Sequence, residues 1–125
     1  MRIFKNTRFA RFADKEGISD SELREAASLL DAGQFDAGQF DADLGGGVYK
    51  MRLARPSAGK SGGYRVIVAF RRGHRTFYVE GFAKSQRANI GQREKKDLKV
   101  LAKDYLDLPD EVIDRTVRAG RLVEI

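Results

Sequence analysis

The hydrophobic positions in the first quarter of the chain predict one strand and two helices. Residues 1–5 alternate between polar and apolar side chains, which is typical of a short strand. Apolar residues at spacings of three and four follow, and they predict a short helix that ends at Gly17. A capping-box sequence at residues 19–22 and a single apolar stripe then predict a second helix from about Ser19 to about Ala32.

The middle of the chain predicts strands. Residues 48–54 form one candidate strand, and residues 64–70 alternate in the manner of a central strand. A hairpin turn centred on Gly73 leads into a further strand over residues 76–84. Three successive strands joined by short connections predict an antiparallel meander.

The last third of the chain predicts two more helices. Apolar spacing predicts a helix over residues 92–106, and Pro109 suits the first turn of a fourth helix that ends at Gly120. A short apolar tail follows at residues 122–125. We therefore expect an α+β fold, with an antiparallel sheet of three to four strands packed by N-terminal and C-terminal helices, in a single domain over residues 1–125.

A tandem repeat separates the predicted helices from the predicted strands. The sequence DAGQF occupies residues 31–35 and recurs at residues 36–40. Because a period of five suits neither a helix nor a strand, and two copies are too few for a repeat architecture, we expect a surface connection. The alternative is a short partner-binding loop anchored by Phe35 and Phe40.

Positive charge is concentrated in the middle of the chain. Residues 44–93 carry eleven Lys or Arg against one carboxylate, a local charge of +10. Residues 1–43 carry −3 and residues 94–125 carry −1. A concentrated cationic field attracts polyanions, of which nucleic acid is the commonest.

The composition narrows the possible chemistry and location. There is no cysteine and one histidine, so disulfides, cysteine metal sites and two-histidine ribonuclease chemistry are excluded, and we expect neither a metal nor another cofactor. No apolar run approaches the roughly 20 residues that a bilayer-spanning helix needs. Residues 1–5 lack the apolar stretch of a secretory signal, so we expect a cytoplasmic protein without a membrane partner.

Basic side chains on the predicted strands are the first candidate functional residues. Lys50 and Arg52 alternate along one strand and project to one face, and Arg55 follows at the end of that strand. Arg65 lies in the next strand, where a charge among apolar residues is costly unless it pairs or opens to a groove. Arg65 therefore has two alternatives. It either forms an ion pair with Glu80 or lines a concave cationic face together with the other basic residues.

The hairpin turn carries a second basic group. Three arginines cluster at its tip, namely Arg71, Arg72 and Arg75. They are either the polar side chains of a solvated turn or a docking contact for RNA backbone. His74 lies between them, and a hairpin tip is usually remote from a cleft, which disfavours His74 as a catalytic base. Lys60 lies in a glycine-rich loop whose amides can also hold a phosphate. The candidate RNA contacts are Arg55, Lys60, Arg71, Arg72 and Arg75.

Three segments carry a resemblance to a known family. Residues 45–50 read GGGVYK, residues 60–65 read KSGGYR, and residues 81–90 read GFAKSQRANI. In this combination the chain resembles the RelE/HigB superfamily of bacterial toxins, in its RelE-type branch. The resemblance covers residues 44–106.

The resemblance implies a fold, an activity and partners. It implies a RelE/ParE-like toxin of a type II toxin–antitoxin system that enters the ribosomal A site. There it cleaves mRNA, through attack of a ribose 2′-hydroxyl on the neighbouring phosphate, and so inhibits translation. The implied partners are the ribosome, mRNA and a cognate antitoxin of the helix-turn-helix type.

The resemblance also implies catalytic residues. Arg65 matches the family's sheet arginine that contacts the scissile phosphate, and Lys50 and Arg52 match basic positions on the preceding strand. Lys84 and Arg87 fall in the basic motif after the last strand, where either can stabilise charge on the leaving oxygen.

The resemblance does not identify the group that accepts the proton of the 2′-hydroxyl. The family's best-studied member has a tyrosine where this chain has Gly91, so no stacking or general-base role is carried over from it. A lysine ammonium ordinarily has a pKa of about 10.4, too high for a base at neutral pH, although neighbouring cations favour the neutral amine. Lys50 is therefore the candidate base and Lys60 the second choice.

Two other functions fit the same sequence. One is a non-nucleolytic poison of DNA gyrase of the ParE type, which has the same fold and needs no cationic catalytic cluster. The other is a non-catalytic RNA-binding module, which predicts exposed aromatic side chains on the sheet for base stacking, with Tyr64 and Tyr78 as the candidates.

Overall fold

The computed structural model describes residues 1–33, 40–53, 63–83 and 91–125. Within these residues the chain forms helices, then a run of strands, then helices again, which confirms the predicted α+β class. In chain order the elements are β1 (Arg2–Asn6), α1 (Thr7–Glu16), α2 (Asp20–Ala32), β2 (Phe40–Gly45), β3 (Val48–Leu53), β4 (Tyr64–Arg71), β5 (Arg75–Ala83), α3 (Gln92–Leu106), α4 (Asp110–Arg118) and β6 (Leu122–Glu124).

The described strands form one sheet in the order β2-β3-β4-β5-β1-β6. Strands β3, β4 and β5 form the predicted antiparallel meander, and β2 extends it. Strand β1 lies parallel to β5, and β6 is antiparallel to β1 at the far edge. The sheet thus has six strands where the sequence predicts three to four.

The strands missing from the prediction have weak local signals. Phe40 begins β2, which pairs with β3, so the surface connection expected for the tandem repeat ends within a strand. The apolar tail predicted at residues 122–125 contributes β6, whose three residues pair with β1. Cross-strand pairing supplies the order in both places, and periodicity within so short a segment cannot reveal it. Phe35, the other proposed anchor, lies outside the described residues.

Side-chain caps determine where the first two helices begin. The Asn6 side chain accepts a hydrogen bond from the Phe9 N–H at 2.8 Å and donates to the Val79 carbonyl at 3.1 Å, so it starts α1 and holds it against β5. Ser19 and Glu22 form the predicted capping box of α2. Replacing a cap of this kind by alanine typically costs about 0.5–2 kcal/mol.

The sheet buries a hydrophobic layer on each face. Helices α1 and α2 pack on the face that carries Tyr64 and Val68, and helices α3 and α4 pack on the face that carries Ile67 and Ala69. Strand β4 is therefore covered on both sides, and its burial is continuous up to its last residue. This explains why its sequence is apolar at nearly every position and why a charged residue within it is conspicuous.

Candidate nucleic-acid interface

The pairing of β3 with β4 places two arginines directly opposite each other. Arg52 and Arg65 are Cα partners in the antiparallel register. Directly opposed residues share a face of the sheet, with Cβ atoms about 4.5–5.5 Å apart. Lys50 lies two residues before Arg52 and so on the same face. The fold thus brings together three basic residues of adjacent strands, which we call the cationic cluster (Lys50, Arg52 and Arg65).

The cationic cluster lies on the sheet face on which α3 packs, because Arg65 shares its alternation with Ile67. Arg65 is 7% exposed, Lys50 is half-buried and Arg52 is exposed. Like charges directly opposite each other destabilise a sheet, and burying a guanidinium adds a desolvation cost. An anion held between the two arginines would offset both costs.

Glu80 is the single carboxylate of segment 44–93 and lies on the same sheet face. The register places it opposite Ile67, one pleat along from the partner of Arg65, which is Phe82. A carboxylate oxygen of Glu80 lies 3.3 Å from a guanidinium nitrogen of Arg8 in α1. Arg8 is not identifiable from sequence, because α1 and β5 come together only in the tertiary fold.

The arginines at the hairpin tip do not form one cluster. Arg72 and His74 are exposed, as expected of a solvated turn. Arg71 turns toward the end of α3, where it donates to the Leu106 carbonyl at 3.1 Å and to the Asp107 carboxylate at 2.9 Å. Of the candidate RNA contacts at this turn, Arg72 retains an exposed side chain with no ion pair within the described part of the chain.

Arg75 differs from its expected place at a solvated tip. It is 4% exposed and lies beneath the junction of α3 and α4. Its guanidinium donates to the carbonyls of Leu106 and Leu108 and, at 2.8 Å, to the carboxylate of Asp110. These contacts make Arg75 a structural residue that satisfies the last carbonyl of α3 and a carbonyl of the connection to α4, and its burial argues against a contact with RNA.

Four further candidates lie outside the described residues. They fall within residues 54–62 and 84–90, which follow β3 and β5 along the chain. These residues are Arg55, Lys60, Lys84 and Arg87.

The two tyrosines considered for base stacking belong to the core. Tyr64 is 2% exposed and donates its hydroxyl to Glu16 at 3.0 Å. Tyr78 is fully buried and donates to the Leu23 carbonyl at 2.7 Å, and this burial raises the pKa of the Tyr78 phenol well above its usual range. Neither ring can stack on a base, so these two tyrosines do not supply the exposed aromatic surface that a non-catalytic RNA-binding module predicts.

Metal sites and membrane spans each place a structural demand on the part of the chain that the structure describes. No group of three or more His, Cys, Asp or Glu side chains within it is arranged to hold a metal ion. No helix in the same ranges combines the length and apolar character needed to cross a membrane.

Comparison with known proteins shows which family the chain belongs to. A family sequence model described as the RelE toxin of the RelE/RelB toxin–antitoxin system matches residues 1–125. A search of curated proteins found no match. The family match spans the helices before the sheet as well as the cationic cluster and the C-terminal helices, so it extends beyond the segments that carry the sequence resemblance. The chain therefore belongs to the RelE toxin family, whose members pair with an antitoxin.

Proposed function

We propose that this toxin is a ribosome-dependent mRNA endonuclease that cleaves through the ribose 2′-hydroxyl. The observation that carries the proposal is the opposition of Arg52 and Arg65 on one sheet face, with Lys50 beside them. Two guanidinium groups can balance the negative charge that a phosphodiester develops as it approaches its pentacoordinate transition state. The activity requires translating ribosomes and so places the toxin in the cytoplasm.

The arginines of the cluster act on the scissile phosphate. Arg65 is held by a strand that is packed on both faces, so its guanidinium is fixed before the substrate arrives. Arg52 is exposed and approaches the same phosphate from the solvent side. A fixed positive group of this kind typically contributes about 10²–10³ in rate.

A proton acceptor for the 2′-hydroxyl must lie within hydrogen-bonding reach of the ribose. Lys50 is our first candidate, because it lies on the cluster face one pleat from Arg52. Glu80 is the second candidate, because Ile67 is the register partner of both Lys50 and Glu80, which places this carboxylate on the cluster face. Substitutions that remove the ability of one group to accept a proton leave the other group intact, so mutagenesis can identify the base.

The ribosome supplies what the chain lacks. A cluster of cations binds any RNA backbone, and cleavage needs a 2′-hydroxyl aligned with its neighbouring phosphate. Binding in the decoding site would hold mRNA in that geometry. We therefore expect weak or no cleavage of free RNA by the isolated toxin.

The direct test is primer extension on mRNA in a purified translation system. Arg65→Ala should reduce cleavage at least about 10²-fold, while Arg24→Ala, an exposed arginine of α2 on the other face of the sheet, should cleave like the wild type. Arg65→Gln serves as a second variant if the alanine protein does not fold. Full cleavage by a folded Arg65 variant would refute the proposal.

The gyrase-poison alternative makes a separate prediction. Inhibition of DNA supercoiling by purified gyrase, with no cleavage of mRNA on ribosomes, would support it. The opposed arginines favour the nuclease, because a poison that acts by protein contact has no need of two like charges facing each other within a sheet.

A further inference from the structure

A second basic feature lies at the other end of the sheet. A groove of about 410 Å³ opens between the β2–β3 turn and the outer side of α3. Val100 and Leu106 give it apolar walls, and Arg71, Lys99 and Lys103 surround them with positive charge. This volume lies within the range of ligand pockets and can accommodate a few side chains of a partner.

The rim of the groove carries an excess of positive charge. Its one carboxylate, Asp107, accepts from Arg71 at 2.9 Å and from Lys103 at 2.7 Å. Lys99 makes no ion pair with any residue in the described ranges. The rim therefore holds three cations against one shared carboxylate, and it is complementary to an acidic partner.

The exposed apolar surface of the groove indicates what kind of partner it fits. Val100, which lines the groove, is 63% exposed. RNA backbone gains nothing from a valine, whereas an apolar side chain of a protein does, at about 25 cal/mol for each Å² removed from water. The combination of an apolar centre and a cationic rim favours an amphipathic, acidic polypeptide over a nucleic acid.

The glycine run at residues 45–47 gives the groove a fixed wall. Gly46 has a φ of +61°, and a Cβ at this position would lie 3.3 Å from the Cγ of Lys99. A Cβ on Gly47 would lie 2.8 Å from Leu106. Because the turn has no side chains, α3 packs directly against its backbone and Lys99 lies across it. The groove is therefore formed before a partner binds, which lowers the entropic cost of binding.

We propose that this groove is the docking site for an acidic, amphipathic segment of the antitoxin. The segment places an apolar side chain against Val100 and carboxylates against Lys99 and the Arg71–Lys103 side of the rim. Arg71 lies six residues along β4 from Arg65, about 20 Å at the rise of a strand. The antitoxin anchor is thus separate from the cationic cluster, and the inference rests on the family's pairing with an antitoxin rather than on RNA cleavage.

The test measures binding of the full-length toxin to the antitoxin encoded beside its gene. Val100→Ser removes the apolar contact at similar helix propensity and should raise the dissociation rate, and Lys99→Glu should lower the association rate and its dependence on salt. Each substitution should raise Kd at least about tenfold. Arg24→Glu, a charge reversal at an exposed position of α2 on the other face of the sheet, is the matched control and should bind like the wild type.

An unchanged Kd for the double variant Lys99→Glu/Val100→Ser would overturn the inference. If the same variant also lost cleavage on ribosomes, the groove would serve RNA instead. Arg65→Ala separates this test from that of the nuclease, because it should keep wild-type affinity for the antitoxin whether or not the wild type cleaves mRNA.

Discussion

Arg75 and Asp110 form an ion pair of 2.8 Å in which the guanidinium is buried and the carboxylate is exposed. The pair links the start of β5 to the start of α4, and the same guanidinium also donates to the last carbonyl of α3, that of Leu106, and to the Leu108 carbonyl just after it. We expect Arg75→Met to lower the free energy of unfolding by about 2–4 kcal/mol, because it removes the donor to the Leu108 carbonyl and to Asp110 and leaves the Leu106 carbonyl with Arg71 alone. Denaturant unfolding measures this change.

The matched control for Arg75 is its neighbour in the same turn. Arg72→Met removes an exposed arginine and should change the free energy of unfolding by less than about 0.5 kcal/mol. Equal effects of the two substitutions would contradict the structural role of Arg75.

Two glycines of positive φ should respond differently to alanine. Gly73 has a φ of +69° with open space around its Cβ position, so Gly73→Ala should cost only about 1 kcal/mol of backbone strain. Gly47 has a φ of +82°, and its Cβ would also lie 2.8 Å from Leu106 and 3.3 Å from the Phe70 carbonyl. Gly47→Ala should therefore cost about 2–4 kcal/mol in thermal or denaturant unfolding. A smaller loss at Gly47 than at Gly73 would show that α3 does not pack tightly on the turn.

Lys50→Arg distinguishes a proton acceptor from a fixed charge. Arginine keeps the positive charge but cannot give up its proton in a protein. If Lys50 is the base, Lys50→Arg should reduce single-turnover cleavage on ribosomes by about 10²–10⁴-fold, as much as Lys50→Met does. Ribosome binding of Lys50→Arg should remain, and co-sedimentation checks it.

Wild-type activity of Lys50→Arg would favour Glu80 as the base. Wild-type cleavage by Lys50→Arg, combined with a loss of the same size in Glu80→Gln, would transfer the base role to the carboxylate. Arg8→Gln removes the observed partner of Glu80 without touching the cluster, and it tests whether that ion pair positions the carboxylate.

The contact between the two ends of the described chain should weaken in acid. Arg2 donates to both oxygens of Glu124 at 2.9 Å, and these hydrogen bonds hold the pKa of the Glu124 carboxyl below its usual value of 4.5. A carboxyl with a lowered pKa stabilises the fold above its unfolded-state pKa, and that contribution is lost as the pH falls through the folded-state value.

Glu124→Gln measures this contribution. Both partners are about one-third exposed, so the loss in the free energy of unfolding at neutral pH should be at most about 1 kcal/mol. The difference from the wild type should shrink as the pH is lowered below 4.5. A difference that is constant from neutral to acid pH would contradict an electrostatic origin.

The local parts of the fold are predictable from sequence, because their signals lie within a few residues. The predicted third helix, residues 92–106, matches α3 in both bounds, and the capping box at Ser19 starts α2 where expected. The meander of β3 to β5 follows from alternation and the turn at Gly73.

The remaining features depend on contacts between distant parts of the chain. Alternation places Arg65 and Arg52 each on one face of a strand, but only the register shows that they are opposite each other. The burial of Arg75 could not be foreseen, because its acceptors lie 31 to 35 residues further along the chain. The place of β1 between β5 and β6 is likewise a property of strand order, which periodicity does not encode.

The pairing of β1 with β6 sets a limit on when the molecule can mature. Strand β6 pairs with a strand made more than a hundred residues earlier, so this edge closes only after residues 122–124 have left the peptide exit tunnel. Closing so long a loop is entropically costly and slow compared with forming a hairpin. In a nascent chain, strand β1 is therefore open along one side until β6 has emerged and paired with it.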